Sequence, residues 1–419
     1  VRLLISAFAC SPRIGSEPTV GWEWSSRLAA DHDVTLLTHS HFRRDLEQEL
    51  AARARPRLRI EYHEVPWLKL DPELAVNSRL YYLVWQISIL PRVARLVREQ
   101  EFDLVQHLTW GSFRLPSFLG FVGRPFILGP VGGGERAPFK LRRSLPPKAK
   151  AFELLRDFLI WSGRFDPLLR LAISRADVIL AKTRETCLAL PASARQRAIV
   201  AHEIGAYGPA TESGAPAAQR DELRILFAGR MIPAKGLHLA LLALSRLSGD
   251  HLLRLYLAGD GPLRASLEAQ AARLGVQDRV TFLGMVPRDR FLATYREMDC
   301  FLFPSLHDSS GNVVLEALAN GLPVICLDLG GPKYFVDDSC AIIVGTRDRT
   351  EGEVAAGLAE AMTKLEAAPA ERARLAGGAL QRARELTWDH QINRAYALIE
   401  RQLALTDGKR RPSTSGTRA

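Results

Sequence analysis

One pattern runs through this chain from end to end: short apolar runs of strand type alternate with longer stretches of helical period. Parallel strands need a crossover between them, usually a helix, so such alternation predicts parallel sheets with helices on both faces. Strands are expected at 3–8, 34–38, 58–63, 104–108, 126–128 and 178–181. The pattern then restarts, with strands at 223–228, 253–258, 280–283, 300–303 and 324–327. Helical patterns follow, as at 237–247, 263–274 and 311–320. After Asp348 only helical patterns remain, to about Ala404.

Two restarted patterns in 419 residues imply two domains. The expected division is a first Rossmann-like domain at 1–205, a Gly/Pro/Ala/Ser-rich linker at 206–222 and a second Rossmann-like domain at 223–385. A helix at 386–404 is expected to pack back on the first domain, ahead of a disordered tail at 405–419. The fold class is therefore α/β, two doubly wound domains facing across a cleft. In such sheets ligands sit at the carboxyl ends of the strands, so chemistry belongs in the loops that follow strands.

Composition excludes several classes. No apolar stretch approaches the ~20 residues of a membrane-spanning helix, and the first residues read as a strand rather than a secretory signal. Five scattered cysteines with no CxxC pair suggest neither a disulfide framework nor a zinc knuckle, and fit a reducing cytoplasm. The net charge of +10 is local: residues 136–170 carry a net +6 and residues 408–419 a net +4. The tail offers charge without stacking aromatics, so nucleic acid is not an expected partner. In 136–170 the cations are interleaved with Phe139, Leu141, Leu145, Phe152, Leu154, Leu155, Phe158, Leu159, Ile160 and Trp161. That segment reads equally as a peripheral contact with an anionic membrane surface and as a surface helix with its apolar face on the core.

Three loops carry candidate chemistry. After the first strand comes Gly15-Ser16, ahead of Gly21-Trp22-Glu23-Trp24, which is expected to open a helix; small residues there let backbone N–H groups approach an anion. After the strand at 223–228, Arg230 and Lys235 lie between Gly229 and Gly236, close enough in sequence to meet one diphosphate or to be solvated loop cations. After the strand at 300–303, a polar loop containing His307 and Asp308 leads into a helix near Gly311. The free N–H groups of Asn312 and Val313 suit phosphate, and Glu316 stands among apolar neighbours, where a carboxylate needs a partner. No His/Cys/carboxylate spacing suggests a metal site, and no G-x-S-x-G elbow suggests a hydrolase. The loop from Gly129 to Glu135 reads either as a close approach to ligand or as a structural turn.

The Gly-Arg-Met…Lys-Gly loop, the Gly259-Asp260-Gly261-Pro262 turn, the strand Val280-Thr281-Phe282-Leu283-Gly284, and Asp308 and Glu316 eight positions apart together resemble the donor half of a retaining glycosyltransferase of family 4. The likeness is dense over 223–345 and loose over the first half. It implies the GT-B fold, a nucleotide-sugar donor and no metal or other cofactor. It also implies Arg230 and Lys235 on the diphosphate, Glu316 on the ribose and Asp308 on the transferred sugar. By the same resemblance Gly15 and Ser16 fall near a phosphate, and His107 falls where a histidine contacts the sugar. Two departures stand out: Asp308 where Glu is usual, and Ser16 where the second glycine is usual.

The expected activity is transfer of a hexose from a UDP- or GDP-sugar to a glycan or lipid-linked glycan in cell-surface polysaccharide synthesis, in the cytoplasm or at the inner face of the membrane. The alternatives are a nucleotide-sugar epimerase of similar fold and a non-catalytic scaffold. An epimerase needs an acid/base set that is not apparent, and a scaffold would lose the phosphate cations, which are present.

Overall fold

The computed structural model describes residues 1–68, 71–208 and 222–410. Most of the segment expected as a linker, and the tail from 411 on, lie outside the described residues. The chain divides into two compact units.

The first unit comprises residues 1–134, 159–204 and the chain from Trp388. Its seven strands are β1 (Arg2–Ser6), β2 (Asp33–His39), β3 (Leu58–His63), β4 (Leu104–His107), β5 (Phe126–Val131), β6 (Val178–Ala181) and β7 (Ala198–Val200). They pair in parallel in the order β3-β2-β1-β4-β5-β6-β7. The inner strands are apolar runs because helices cover both faces: every residue of β5 and β6 is buried. The helix Trp388–Arg410 packs on this unit, with the Tyr396 hydroxyl donating to Gln106 Oε1 at 2.7 Å and Arg27 Nη1 on Asp389 Oδ2 at 2.5 Å.

The second unit comprises residues 135–158 and 205–387. Its strands are β8 (Leu223–Ala228), β9 (Leu253–Ala258), β10 (Val280–Gly284), β11 (Cys300–Phe303), β12 (Val324–Leu327) and β13 (Ala341–Val344), all parallel in the order β10-β9-β8-β11-β12-β13. A single core of Ile225, Phe227, Leu255, Leu257, Leu302 and Ile325 joins the sheet to the fully buried Leu239, Leu241 and Leu244 of helix Leu237–Leu244.

Strand existence follows the sequence pattern, with two additions. Neither β7 nor β13 was expected. Both are edge strands of three and four residues. The helix after β1 starts at Glu17, four residues before Gly21. Pro18 sits in its first turn, where a missing N–H costs nothing. Gly21 is needed inside this helix, since a Cβ there would lie 2.3 Å from the Ala9 carbonyl oxygen.

Residues 135–158, expected with the first domain, group with the second. The helix Pro147–Ser162, which begins in this stretch and runs past its end, turns most of its large apolar side chains outward. Phe152, Leu154, Leu155, Phe158 and Trp161 are between 48% and 63% exposed, whereas Glu153 is 3% exposed at its side chain. The expected apolar face on the core is not found: only Ala149 and Ile160 of the apolar side chains are buried, while Lys148 does face outward. Ion pairing explains the inner face: Arg142 Nη1 contacts Asp157 Oδ2 at 2.7 Å, and Glu153 Oε1 lies 3.0 Å from His307 Nε2.

Candidate functional site

In a doubly wound sheet the order of strands reverses at one point, and the loops leaving the carboxyl ends there diverge to opposite faces, opening a crevice. In the second unit that point lies between β8 and β11, neighbours in the sheet. The loops that follow them, 229–236 and 304–311, together with the helix Asn312–Ala319 that the second leads into, hold most of the sequence candidates.

These loops are held together by backbone contacts. Gly236 takes φ 64°, and a Cβ on it would come within 2.0 Å of the Pro304 carbonyl oxygen. Gly259, after β9, stands against the Gly229 carbonyl in the same way, at 2.1 Å. Gly330, with φ 65°, would place a Cβ 2.2 Å from the Asp308 carbonyl oxygen. Only glycine permits so close an approach.

Lys235 and Asp308 form an ion pair, with their side chains 17% and 18% exposed. The Lys235 ammonium also lies 4.9 Å from the centre of the Phe303 ring. Burial pushes the Asp308 carboxyl upward, but the Lys235 charge and hydrogen bond and the Ser310 N–H, 3.0 Å from Oδ1, outweigh it and hold the group below its ordinary value. The sequence reading gave these two residues separate targets; the structure brings them together. Arg230 is exposed and makes no side-chain hydrogen bond or ion pair among the described residues.

The helix Asn312–Ala319 is preceded by Gly311 in the left-handed region, φ 78° and ψ 45°, and no side chain caps it. The leading N–H groups of Asn312 and Val313 are those that a helix cannot satisfy internally. Asn312 Oδ1 is buried and has no hydrogen-bond partner among the described residues. One turn in, Glu316 Oε2 accepts from the Tyr295 hydroxyl at 3.0 Å. The partner required by the apolar surroundings is thus a tyrosine, itself fully buried, whose own ionisation is pushed up by burial and by Glu316. Tyr295 was not singled out in the sequence, because its helix Arg288–Arg296 carries no pattern that points to Glu316.

Glu153 was also missed. Its side chain is 3% exposed and its Oε1 meets His307 Nε2 at 3.0 Å, next in sequence to Asp308. Burial would raise the Glu153 carboxyl, but the His307 hydrogen bond and charge, with Arg156 and Arg142, hold it down. The one available signal was a lone glutamate in the cationic, apolar stretch before Arg156.

In the first unit Gly15 and Ser16 are exposed after β1. Ser16 takes φ 66° and ψ −134°, a conformation that favours glycine, so serine stands there at a cost in backbone strain. The next residue, Glu17, accepts from the Trp110 N–H at 2.9 Å, and Trp110 is itself at φ 59°. His107, at the end of β4, is 1% exposed; Nε2 lies 3.0 Å from the Tyr82 hydroxyl and Nδ1 3.4 Å from Gln86 Nε2. Burial lowers its pKa to about 4, so the ring is neutral at pH 7. The Gly129 to Glu135 loop shows structural packing at Gly134, where a Cβ would meet Thr186 Cα at 2.4 Å. Among the described residues there is no group of three or more His, Cys, Asp or Glu able to hold a metal, and no helix is long and apolar enough to cross a membrane.

Residues 210–382 match the family model of the glycosyl transferases group 1, a span that contains the glycosyltransferase-like motifs of 223–345. Among curated relatives, the lipopolysaccharide core biosynthesis glycosyltransferase LpsE of Rhizobium meliloti is 36% identical over 154 residues, 36% of this chain and 42% of the relative. The chain spans less than half the length of the first curated relatives it matches, from 29% to 42%. Whole-chain likeness is structural. Sucrose-phosphate synthase from Thermosynechococcus elongatus aligns over 96% of this chain and 99% of its own, at TM-score 0.61 and 18% identity. Anabaena HepE, solved in complex with UDP, aligns over 95% and 98%, at TM-score 0.60 and 17% identity. The fold is GT-B, two Rossmann-like α/β domains.

Proposed function

We propose that this chain is a retaining, metal-independent glycosyltransferase that moves a hexose from a UDP- or GDP-sugar to a hydroxyl of a glycan or lipid-linked glycan, in cell-surface polysaccharide synthesis. The observation that carries the reading is the meeting of a lysine, an acid and an uncapped helix start at the point where the second sheet reverses its strand order. The family match over 210–382 supports it, and the UDP bound by the HepE structure favours a uridine donor.

Catalysis then rests on placement and charge. As the glycosidic bond lengthens toward an oxocarbenium-like state, negative charge grows on the departing diphosphate. Lys235, Arg230 and the N–H groups of Asn312 and Val313 supply the compensating positive charge, so no metal ion is required for it. Glu316, fixed by Tyr295, takes the ribose hydroxyls. Asp308 holds a hydroxyl of the transferred sugar, and Gly15 and Ser16 approach the phosphate. His107 of the first unit is neutral and held by Tyr82. The leaving phosphate accepts the proton of the incoming hydroxyl on the same face, which retains configuration without a protein base.

A peripheral membrane contact belongs to the same reading, and with it a cytoplasmic location at the inner face. It is favoured by the outward row of Phe152, Leu155 and Phe158 beside the exposed Lys148, an arrangement suited to anionic lipid.

The test is a thermal-shift screen against UDP- and GDP-sugars, followed by hydrolysis of the best ligand without acceptor. A ligand at about 100 times its dissociation constant adds about 2.7 kcal/mol. Stabilisation with slow release of sugar is expected. Solvent deuterium entering the sugar would indicate an epimerase, and binding without any turnover a scaffold; either result refutes the proposal.

A further inference from the structure

Glu153 is a buried carboxylate that uses only half of its capacity. Oε1 meets the His307 ring at 3.0 Å, while Oε2 is buried with no hydrogen-bond partner among the described residues. A group of this kind is costly to keep, and a well-packed apolar side chain would serve the core at least as well. What it does have is an address. His307 is 12% exposed at its side chain and sits in the loop after β11, one residue before Asp308, whose carboxylate is paired with Lys235.

Two other contacts fix the same short loop. The Asp308 carbonyl accepts from the Gly331 N–H at 2.7 Å, and Asp308 Oδ1 accepts from the Ser310 N–H at 3.0 Å. Both act on residues 308–310. Upstream, the Leu306 N–H donates to the Ala234 carbonyl at 2.8 Å. Between them His307 is tied down through its side chain by Glu153, and Glu153 comes from the helix Pro147–Ser162.

We infer that Glu153 is a positioning residue for the donor loop: through His307 it sets the place of the Asp308 carboxylate relative to Lys235, and thereby the hold on the transferred sugar. This rests on the donor-site reading above. It predicts a division between sugar and nucleotide, because the loop at 305–310 faces the sugar role of Asp308, whereas the nucleotide roles belong to Glu316 and the following helix. Loss of Glu153 loosens the first and spares the second.

The experiment compares wild type with Glu153→Leu and Glu153→Gln, using the full chain, a UDP- or GDP-sugar as donor and free UDP or GDP as binding probe. Glu153→Leu fills the space without the hydrogen bond; Glu153→Gln keeps an acceptor for His307. The expected result for Glu153→Leu is a urea midpoint no lower than wild type, nucleotide affinity within two-fold, kcat reduced at least ten-fold, and amides 305–310 exchanging with solvent deuterium at least ten-fold faster. Glu153→Gln restores most of the rate and the protection. Amide exchange unchanged in Glu153→Leu, or kcat within two-fold of wild type, overturns the inference. So does a loss in which nucleotide affinity falls with the rate. Should Glu153→Leu fail to fold, Glu153→Ala carries the same readouts. A wild-type protein that turns over no sugar nucleotide refutes the functional reading alone, and the exchange measurement still decides on Glu153.

Discussion

The Lys235 ammonium and the Asp308 carboxylate neutralise each other at the mouth of two loops that leave adjacent strands of the second sheet. The pairing has a direct pH consequence. The Asp308 carboxyl is held below its ordinary value of 3.8, so the pair contributes stability that is fully present above that value and is lost as pH falls through the depressed one. Lys235→Met removes the cause. Its expected cost at pH 7 is about 2 kcal/mol, shrinking as acid protonates Asp308. Urea unfolding of both proteins between about pH 7 and pH 3 checks this; a cost that stays constant with pH contradicts it.

Asp308→Asn and Glu316→Gln separate two roles. Asp308→Asn is expected to keep nucleotide binding and lower the transfer rate about ten-fold or more, a change of at least 1.4 kcal/mol in the barrier. Glu316→Gln keeps an oxygen for the Tyr295 hydroxyl, so the fold is preserved while affinity for UDP or GDP drops. Calorimetry with free nucleotide distinguishes them, and equal impairment of binding in both would remove the assignment.

Ser16 occupies a backbone conformation that suits glycine. Ser16→Gly is expected to stabilise the protein by about 1 kcal/mol, the relief of strain exceeding the entropy cost of a glycine. If the Ser16 hydroxyl also donates to a phosphate, the same variant binds nucleotide more weakly. Urea midpoints together with calorimetry read both effects at once.

At Gly236 the backbone conformation and the Pro304 carbonyl leave no room for a methyl group. Gly236→Ala is expected to cost more than about 3 kcal/mol and to abolish nucleotide binding, since it forces apart the two loops of the site. Gly249→Ala is the matched control, for nothing lies within 4 Å of the Cβ it adds.

The outward face of helix Pro147–Ser162 is expected to bring the protein down with vesicles containing anionic lipid at low salt. Phe152→Ser with Phe158→Ser is expected to abolish sedimentation while leaving hydrolysis of the donor in solution unchanged. Sedimentation that persists in the double variant would move the contact elsewhere.

Where the sequence is explicit, it is so because the pattern is local. The Gly-Arg-Met…Lys-Gly turn and the acids at 308 and 316 mark the candidate site through their spacing, and strand–helix alternation marks both sheets. What stays hidden is long-range pairing. Nothing in the neighbourhood of residue 316 announces Tyr295, twenty-one residues earlier, and nothing near Asp308 announces Glu153. The helix Pro147–Ser162 shows the same limit in another form. Its periodicity has two solutions, apolar side in or apolar side out, and the choice is made by Arg142 and His307, the partners of its Asp157 and Glu153.

The glycines that join the loops of the candidate site have a consequence for how such a site can change. Gly236 meets the Pro304 carbonyl, Gly259 that of Gly229, and Gly330 that of Asp308, so main chain rests on main chain at these three points. At those points the scaffold of the candidate site is indifferent to the side chains around it. On the donor-site reading, substitutions at Asp308 or Ser309 alter which sugar is accepted while these backbone contacts stay in place. On that reading a lineage drifts from one hexose to another through single replacements, and Asp308, one methylene shorter than glutamate, is the position at which such a drift would first be written.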